Sequence, residues 1–160
     1  MVRIIIDKLG DGHHDIFLIV DMIPKRLYVA DSFYLQNFLE LQNQDFLNLS
    51  NEDILKKEIM ELLKHWRSLL KMVNKHQQVF LPFALSDECM GGLLLNKNRR
   101  GFKLAYVFTT NLNGHSNSKS NLYQDVLYNQ TGFFVSNDGI EWLIDEEVLL
   151  NGLSWSINEL

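Results

Sequence analysis

With 160 residues, 46% of them hydrophobic and 22% charged, the chain has the make-up of one globular domain. A domain of that length buries roughly 70% of the surface its unfolded form exposes, so it needs neither metal nor disulfide to fold. Its single cysteine, Cys89, excludes an internal disulfide framework and a multi-cysteine zinc site, and its apolar runs fall far short of the ~20 residues a membrane helix needs.

The N-terminal apolar stretch is cut at Asp7, too early for a signal peptide, so the expected compartment is a reducing cytoplasm. The formal net charge is −5, and it is unevenly spread. From Ser120 onward the chain carries Asp125, Asp138, Glu141, Asp145, Glu146, Glu147 and Glu159 and no lysine or arginine. Such a quarter repels phosphates, which argues against nucleic acid there and for a partner of opposite charge.

Residues 3–7 form a β-branched strand, Gly10-Asp11-Gly12 a turn, and residues 14–22 the hairpin partner. Within that partner, Ile16-Phe17-Leu18-Ile19-Val20 does not alternate with polar residues, which predicts a strand covered on both faces. A third strand follows the break at Pro24, over residues 26–30, and Asp31-Ser32 can cap a helix over 33–42. The strongest element is a helix over 51–74. Leu55, Ile59, Leu62, Leu63, Trp66, Leu69, Leu70 and Val73 fall on one arc of it, while Lys56, Lys57, Lys64, Arg67, Lys71 and Lys75 form a separate basic stripe. Ser50 and Asp53 supply a start resembling a capping box.

The pattern then turns to strands. Residues 78–85 contain Pro82, which places that strand at a sheet edge or at a bulge. Residues 92–97 and 102–110 form a hairpin around Asn98-Arg99-Arg100-Gly101. Residues 111–121 read as polar loop, 122–128 carry no clear signal, and 132–135 and 141–144 read as strands on either side of an Asn137-Asp138-Gly139 turn. A short helical turn over 146–151 ends at Gly152. The expected architecture is α+β in a single domain over 1–160: an antiparallel, curved sheet packed against one long amphipathic helix.

Phosphate-binding loops, dinucleotide fingerprints and the common hydrolase motifs do not occur in the sequence. Asp11, His13 and Asp15 would share one side of an extended backbone and could hold a divalent ion or a general base, although a solvated hairpin turn explains the same residues. Cys89 could be a nucleophile with His115 as its base, but Asp87 and Glu88 beside it disfavour a thiolate. The glycines at 91 and 92 admit a bulge or a close backbone approach. Trp66 belongs to the core. Trp142 and Trp155 lie in the acidic quarter, where aromatic anchors beside steering carboxylates suit a protein interface.

The stretch Val79-Phe80-Leu81-Pro82-Phe83-Ala84-Leu85-Ser86-Asp87, with Gly91-Gly92-Leu93-Leu94 and the hairpin up to Thr109-Thr110, resembles a segment of small bacterial proteins of the polymorphic-toxin immunity type. Asn151-Gly152-Leu153-Ser154-Trp155-Ser156-Ile157 is similar to the way such chains end. The resemblance implies a cytosolic protein that binds and blocks a toxin, with no catalytic residues to carry over. The expected function is therefore non-enzymatic binding of a basic protein through Asp138, Glu141, Trp142, Asp145, Glu146, Glu147 and Trp155, with no cofactor and no metal. The alternatives are a ligand or enzyme site at the Asp11/His13/Asp15 turn and a structural subunit of a homo-oligomer.

Overall fold

The computed structural model describes residues 1–8, 13–73, 78–126 and 133–160. It is an α+β fold in which the expected single sheet is two antiparallel sheets, without strong curling. The first sheet has the order β1 (Val2–Ile6), β2 (Ile16–Val20), β3 (Arg26–Ala30). The second has the order β4 (Gln78–Leu85), β5 (Met90–Asn98), β6 (Gly101–Thr109), β7 (Val135–Ile144). Among the described residues the α-helices are α1 (Leu35–Phe38) and α2 (Asn51–Met72) between the sheets, α3 (Lys119–Val126) between β6 and β7, and α4 (Glu146–Glu159) after β7. One hydrophobic cluster runs through both sheets and the helices.

Helix α2 forms as its periodicity predicts. The Ser50 hydroxyl accepts the Asp53 N–H at 3.2 Å and donates to the Asp53 carboxylate at 2.6 Å, and every residue of the apolar arc is buried. The Trp66 indole N–H reaches the Pro82 carbonyl of β4 at 2.9 Å. Pro82 does what its chemistry demands on both counts, because β4 is an edge strand and carries a register shift between Pro82 and Ala84. Opposite it, a side chain at Gly92 would place its Cβ 2.1 Å from the Leu81 carbonyl oxygen, so this position requires glycine's close approach.

Several expected elements differ. The helix over 33–42 is a single turn that starts later, with Tyr34 at its N-cap and no side-chain cap, while Ser32 is bound to Asp15 and Asp31 accepts the His14 N–H. The region read as loop and unclear contains α3. The Asn137-Asp138-Gly139 turn is a bulge inside the continuous strand β7, where Val107 pairs with Ser136 but Ala105 already pairs with Glu141. The expected turn at residues 10–12, and residues 74–75, 127–128 and 132 of the other expected elements, lie outside the described residues.

The most consequential difference is α4, which continues seven residues past Gly152 instead of stopping there. Gly152 is a contact point with β1: a Cβ would sit 2.2 Å from the Val2 carbonyl oxygen. One turn on, the buried Ser156 hydroxyl accepts the Ile4 N–H at 2.9 Å and donates to the Gly152 carbonyl at 2.9 Å. The small residues let the helix lie against the outer edge of β1 and satisfy a strand amide that would otherwise be unpaired.

In a free helix, replacing glycine with alanine gains about 1 kcal/mol. Here Gly152→Ala is expected to reverse that sign and cost about 1–3 kcal/mol through overpacking. Ser156→Ala should cost a similar amount by orphaning the Ile4 amide. Urea denaturation checks both, and an unchanged or raised midpoint for Gly152→Ala would show that α4 has room to move off β1.

Candidate functional site

Three acids of this quarter hold cations from elsewhere in the fold. Asp138, carried on the β7 bulge, accepts Arg26 Nε at 3.2 Å and the Tyr28 hydroxyl at 3.1 Å, so it ties the second sheet to β3. Tyr28 in turn stacks on Tyr106 of β6 at 3.8 Å between ring centroids. Glu141 pairs with Lys103 at 2.8 Å and Glu146 with Lys97 at 3.0 Å. Asp145 caps α4, accepting the Glu147 N–H at 2.8 Å. Glu147 makes no ion pair among the described residues.

Trp142 corrects the expectation of an anchor at that position. Its ring is buried, and its indole N–H donates to the Pro24 carbonyl at 3.0 Å, so it fastens β7 beneath the β2–β3 connection. Trp155 is half-buried, with the Arg3 guanidinium 4.9 Å above its ring. It shares a cavity of about 250 Å³ with Ile4, Ile5, Ile6, Lys8, Ser156, Glu159 and Leu160.

The side of the first sheet on which Ile5 lies is apolar. The register aligns Ile5, Phe17 and Val29 in one row across the three strands, and Arg3, Ile19 and Leu27 in the next. The opposite face, with Ile4, Leu18 and Tyr28, is buried in the core. The expectation that β2 is covered on both faces is corrected in part. Phe17 and Ile19 are half-buried by their neighbours, while Ile5, Leu27 and Val29 are 37%, 56% and 43% exposed.

Of the Asp11/His13/Asp15 group, Asp11 lies outside the described residues. The other two point to different partners: His13 Nδ1 lies 3.6 Å from Asp31, whereas Asp15 is buried and accepts the Ser32 N–H at 2.9 Å and its hydroxyl at 2.7 Å. No cluster of three or more potential metal ligands forms among the described residues. Cys89 is half-buried with its sulfur 3.4 Å from the Ser86 hydroxyl, in a local turn that does not involve the His115 side chain.

Asp15 instead meets a residue that the sequence reading passed over. Glu58 on α2 is buried, with 6% of its surface exposed, and shares with Asp15 a cavity of about 230 Å³ that also involves Lys8, Ser32, Phe33 and Gln36. Burial, and then the neighbouring Asp15 charge, push the Glu58 carboxyl up to about 7. The signal was present in the helix spacing: Glu58 stands three residues after Leu55 and four before Leu62, at the margin of the apolar arc.

No helix of the described residues is long and apolar enough to cross a membrane. Comparison with protein-family models, with curated proteins and with solved structures gives no match.

Folded protein keeps the Glu58 proton up to about pH 7, while the unfolded chain releases it near the ordinary 4.5. The native state therefore binds more protons between those values, and stability is expected to fall as pH rises through that window, by on the order of 2 kcal/mol. Glu58→Gln should flatten this part of the profile. Parallel urea-stability profiles for the two proteins between pH 4.5 and 8 would show that Glu58 titrates normally.

Proposed function

We propose that this protein is a binding module that docks a protein partner on the open face of its N-terminal sheet. The observation that carries the reading is the pair of aligned rows across the three strands, Ile5-Phe17-Val29 and Arg3-Ile19-Leu27, in which Ile5, Leu27 and Val29 are exposed on either side of the half-buried Phe17 and Ile19. Contiguous exposed apolar surface of this kind marks an interaction site more often than scattered single residues do. Trp155, which shares its cavity with Ile5, extends the face and is the one expected anchor that retains this role.

The partner is a basic protein rather than a second copy. Two copies each carrying −5 repel, whereas a cationic partner is drawn in by the net field. Because Asp138, Glu141 and Glu146 already hold internal cations, steering comes from the overall charge more than from a local acidic patch. The resemblance to immunity proteins fits this picture, with a toxin domain neutralised by occlusion.

A photo-crosslinking residue at Leu27, placed in the protein inside its host cell, is expected to capture one non-self basic protein. Capture should fall at least tenfold when Val29→Asp is added, a substitution at an exposed position. The same probe at Glu147 should capture far less. Crosslinking of a second copy, capture only from Glu147, or no capture from Leu27 would overturn the reading.

A further inference from the structure

Among the described residues the two sheets end in four edge strands, β1, β3, β4 and β7, and three of them are blunted. Helix α4 covers β1, Pro82 and its register shift interrupt β4, and the bulge around Asp138 breaks β7. Strand β3 carries none of these devices. It pairs with β2 in continuous register from Arg26 to Ala30, with no proline and no bulge.

Hydrogen bonds at the two ends of β1 fix which backbone groups of β3 turn outward. The Asp7 N–H donates to the Asp15 carbonyl and the Asp21 N–H to that of Met1, both at 2.8 Å, so Phe17 and Ile19 bond toward β1. Ile16, Leu18 and Val20 then bond toward β3, where their partners are Ala30, Tyr28 and Arg26. Leu27 and Val29 are left with N–H and C=O groups directed away from the sheet, and no group among the described residues pairs with them. Their side chains are exposed on the open face. The two cations beside the start of the strand, a residue type that can shield an edge, are held by other groups: Lys25 by Asp21 at 3.3 Å and Arg26 by Asp138 at 3.2 Å.

We propose that β3 is the pairing edge of the docking face, to which the partner adds an extended antiparallel segment with a basic residue between two apolar ones. This pairing rests on the reading of the open face as the docking surface, and it names the element the partner brings. Donor and acceptor groups repeating every second residue along a strand are matched in spacing by another strand. Antiparallel addition continues the pattern of the sheet and is the slightly more stable arrangement. Incoming residues opposite Leu27 and Val29 then point to the open face and extend its rows, which calls for apolar side chains. The residue between them points to the other side, alongside Tyr28, whose hydroxyl reaches Asp138 at 3.1 Å. Arg26 reaches the same carboxylate from that side of β3, so an incoming lysine or arginine has the length to share it.

Hydrogen exchange and peptide titration of the intact wild-type protein test the pairing, with acetylated and amidated Arg-Val-Arg-Val-Arg-Val-Arg as the probe. In the free protein the Leu27 and Val29 amides are expected to exchange at least tenfold faster than that of Tyr28. Saturating probe should slow both at least tenfold. Methylation of the valine nitrogens of the probe, which would face β3, should weaken binding at least tenfold, whereas methylation of its arginine backbone nitrogens should change it little. Absence of saturable binding, no slowing at Leu27 and Val29, equal tolerance of both methylated probes, or the reverse preference would overturn it. So would slowing that rises with protein concentration in the absence of probe, which assigns the edge to a second copy. Capture from Leu27 in the host cell without slowing by the probe overturns the pairing alone, whereas slowing without capture overturns the docking reading on which it rests.

Discussion

Closure of the outer edge of β1 is the constraint on which the rest of the structure depends. An edge strand presents unpaired amides and invites further pairing. In this fold the last helix closes that edge, and it can do so because Gly152 and Ser156 sit one turn apart on the same side of α4. The glycine brings the helix backbone against the Val2 carbonyl, and the serine returns a hydrogen bond to Ile4. With β1 fixed, the hydrogen-bonded ladder sets β2 and β3, and the alternation of side chains sends Ile4, Leu18 and Tyr28 into the core and Ile5, Phe17 and Val29 away from it. The apolar face is therefore a direct consequence of the register that α4 secures.

What could be read in advance divides along a physical line. Elements whose evidence is local and repeated were legible: α2 announces itself through six turns of one apolar arc, and the β5–β6 hairpin through a polar tip between two apolar runs. Elements decided by a distant partner were not. Gly152 looks like a helix terminator because glycine usually is one, and its contact with Val2 lies 150 residues away. Asn137-Asp138-Gly139 has turn chemistry, but β6 pairs on both sides of it and converts the turn into a bulge. Asp31 and Ser32 have capping chemistry, but they bind the start of β2 through His14 and Asp15, and the helix begins two residues later at Tyr34.

The same division holds for the sites. Charge counted along the chain suggested an unbalanced acidic quarter, whereas charge arranged in space pairs Asp138, Glu141 and Glu146 with cations from three different strands. Surface pairs of this sort contribute little stability each, but they fix how the bulge and the start of α4 lie against β3, β5 and β6. Glu58 was open to discovery through its place beside the apolar arc. Its proximity to Asp15 was not, since that depends on how α2 crosses the end of the first sheet.

The closure of β1 by α4 also sets an order of events during synthesis. The first sheet leaves the ribosome early, yet the group that satisfies Ile4 is residue 156. At a translation rate of about 5–20 residues per second, the strand edge waits on the order of 10–30 s for its cover. For that interval the nascent chain offers an open edge flanked by the apolar Ile5, Phe17 and Val29, which is the kind of segment a holding chaperone engages. Helix α4 thus acts on β1 as a latch, and the closed edge of the first sheet is available only once translation has passed it.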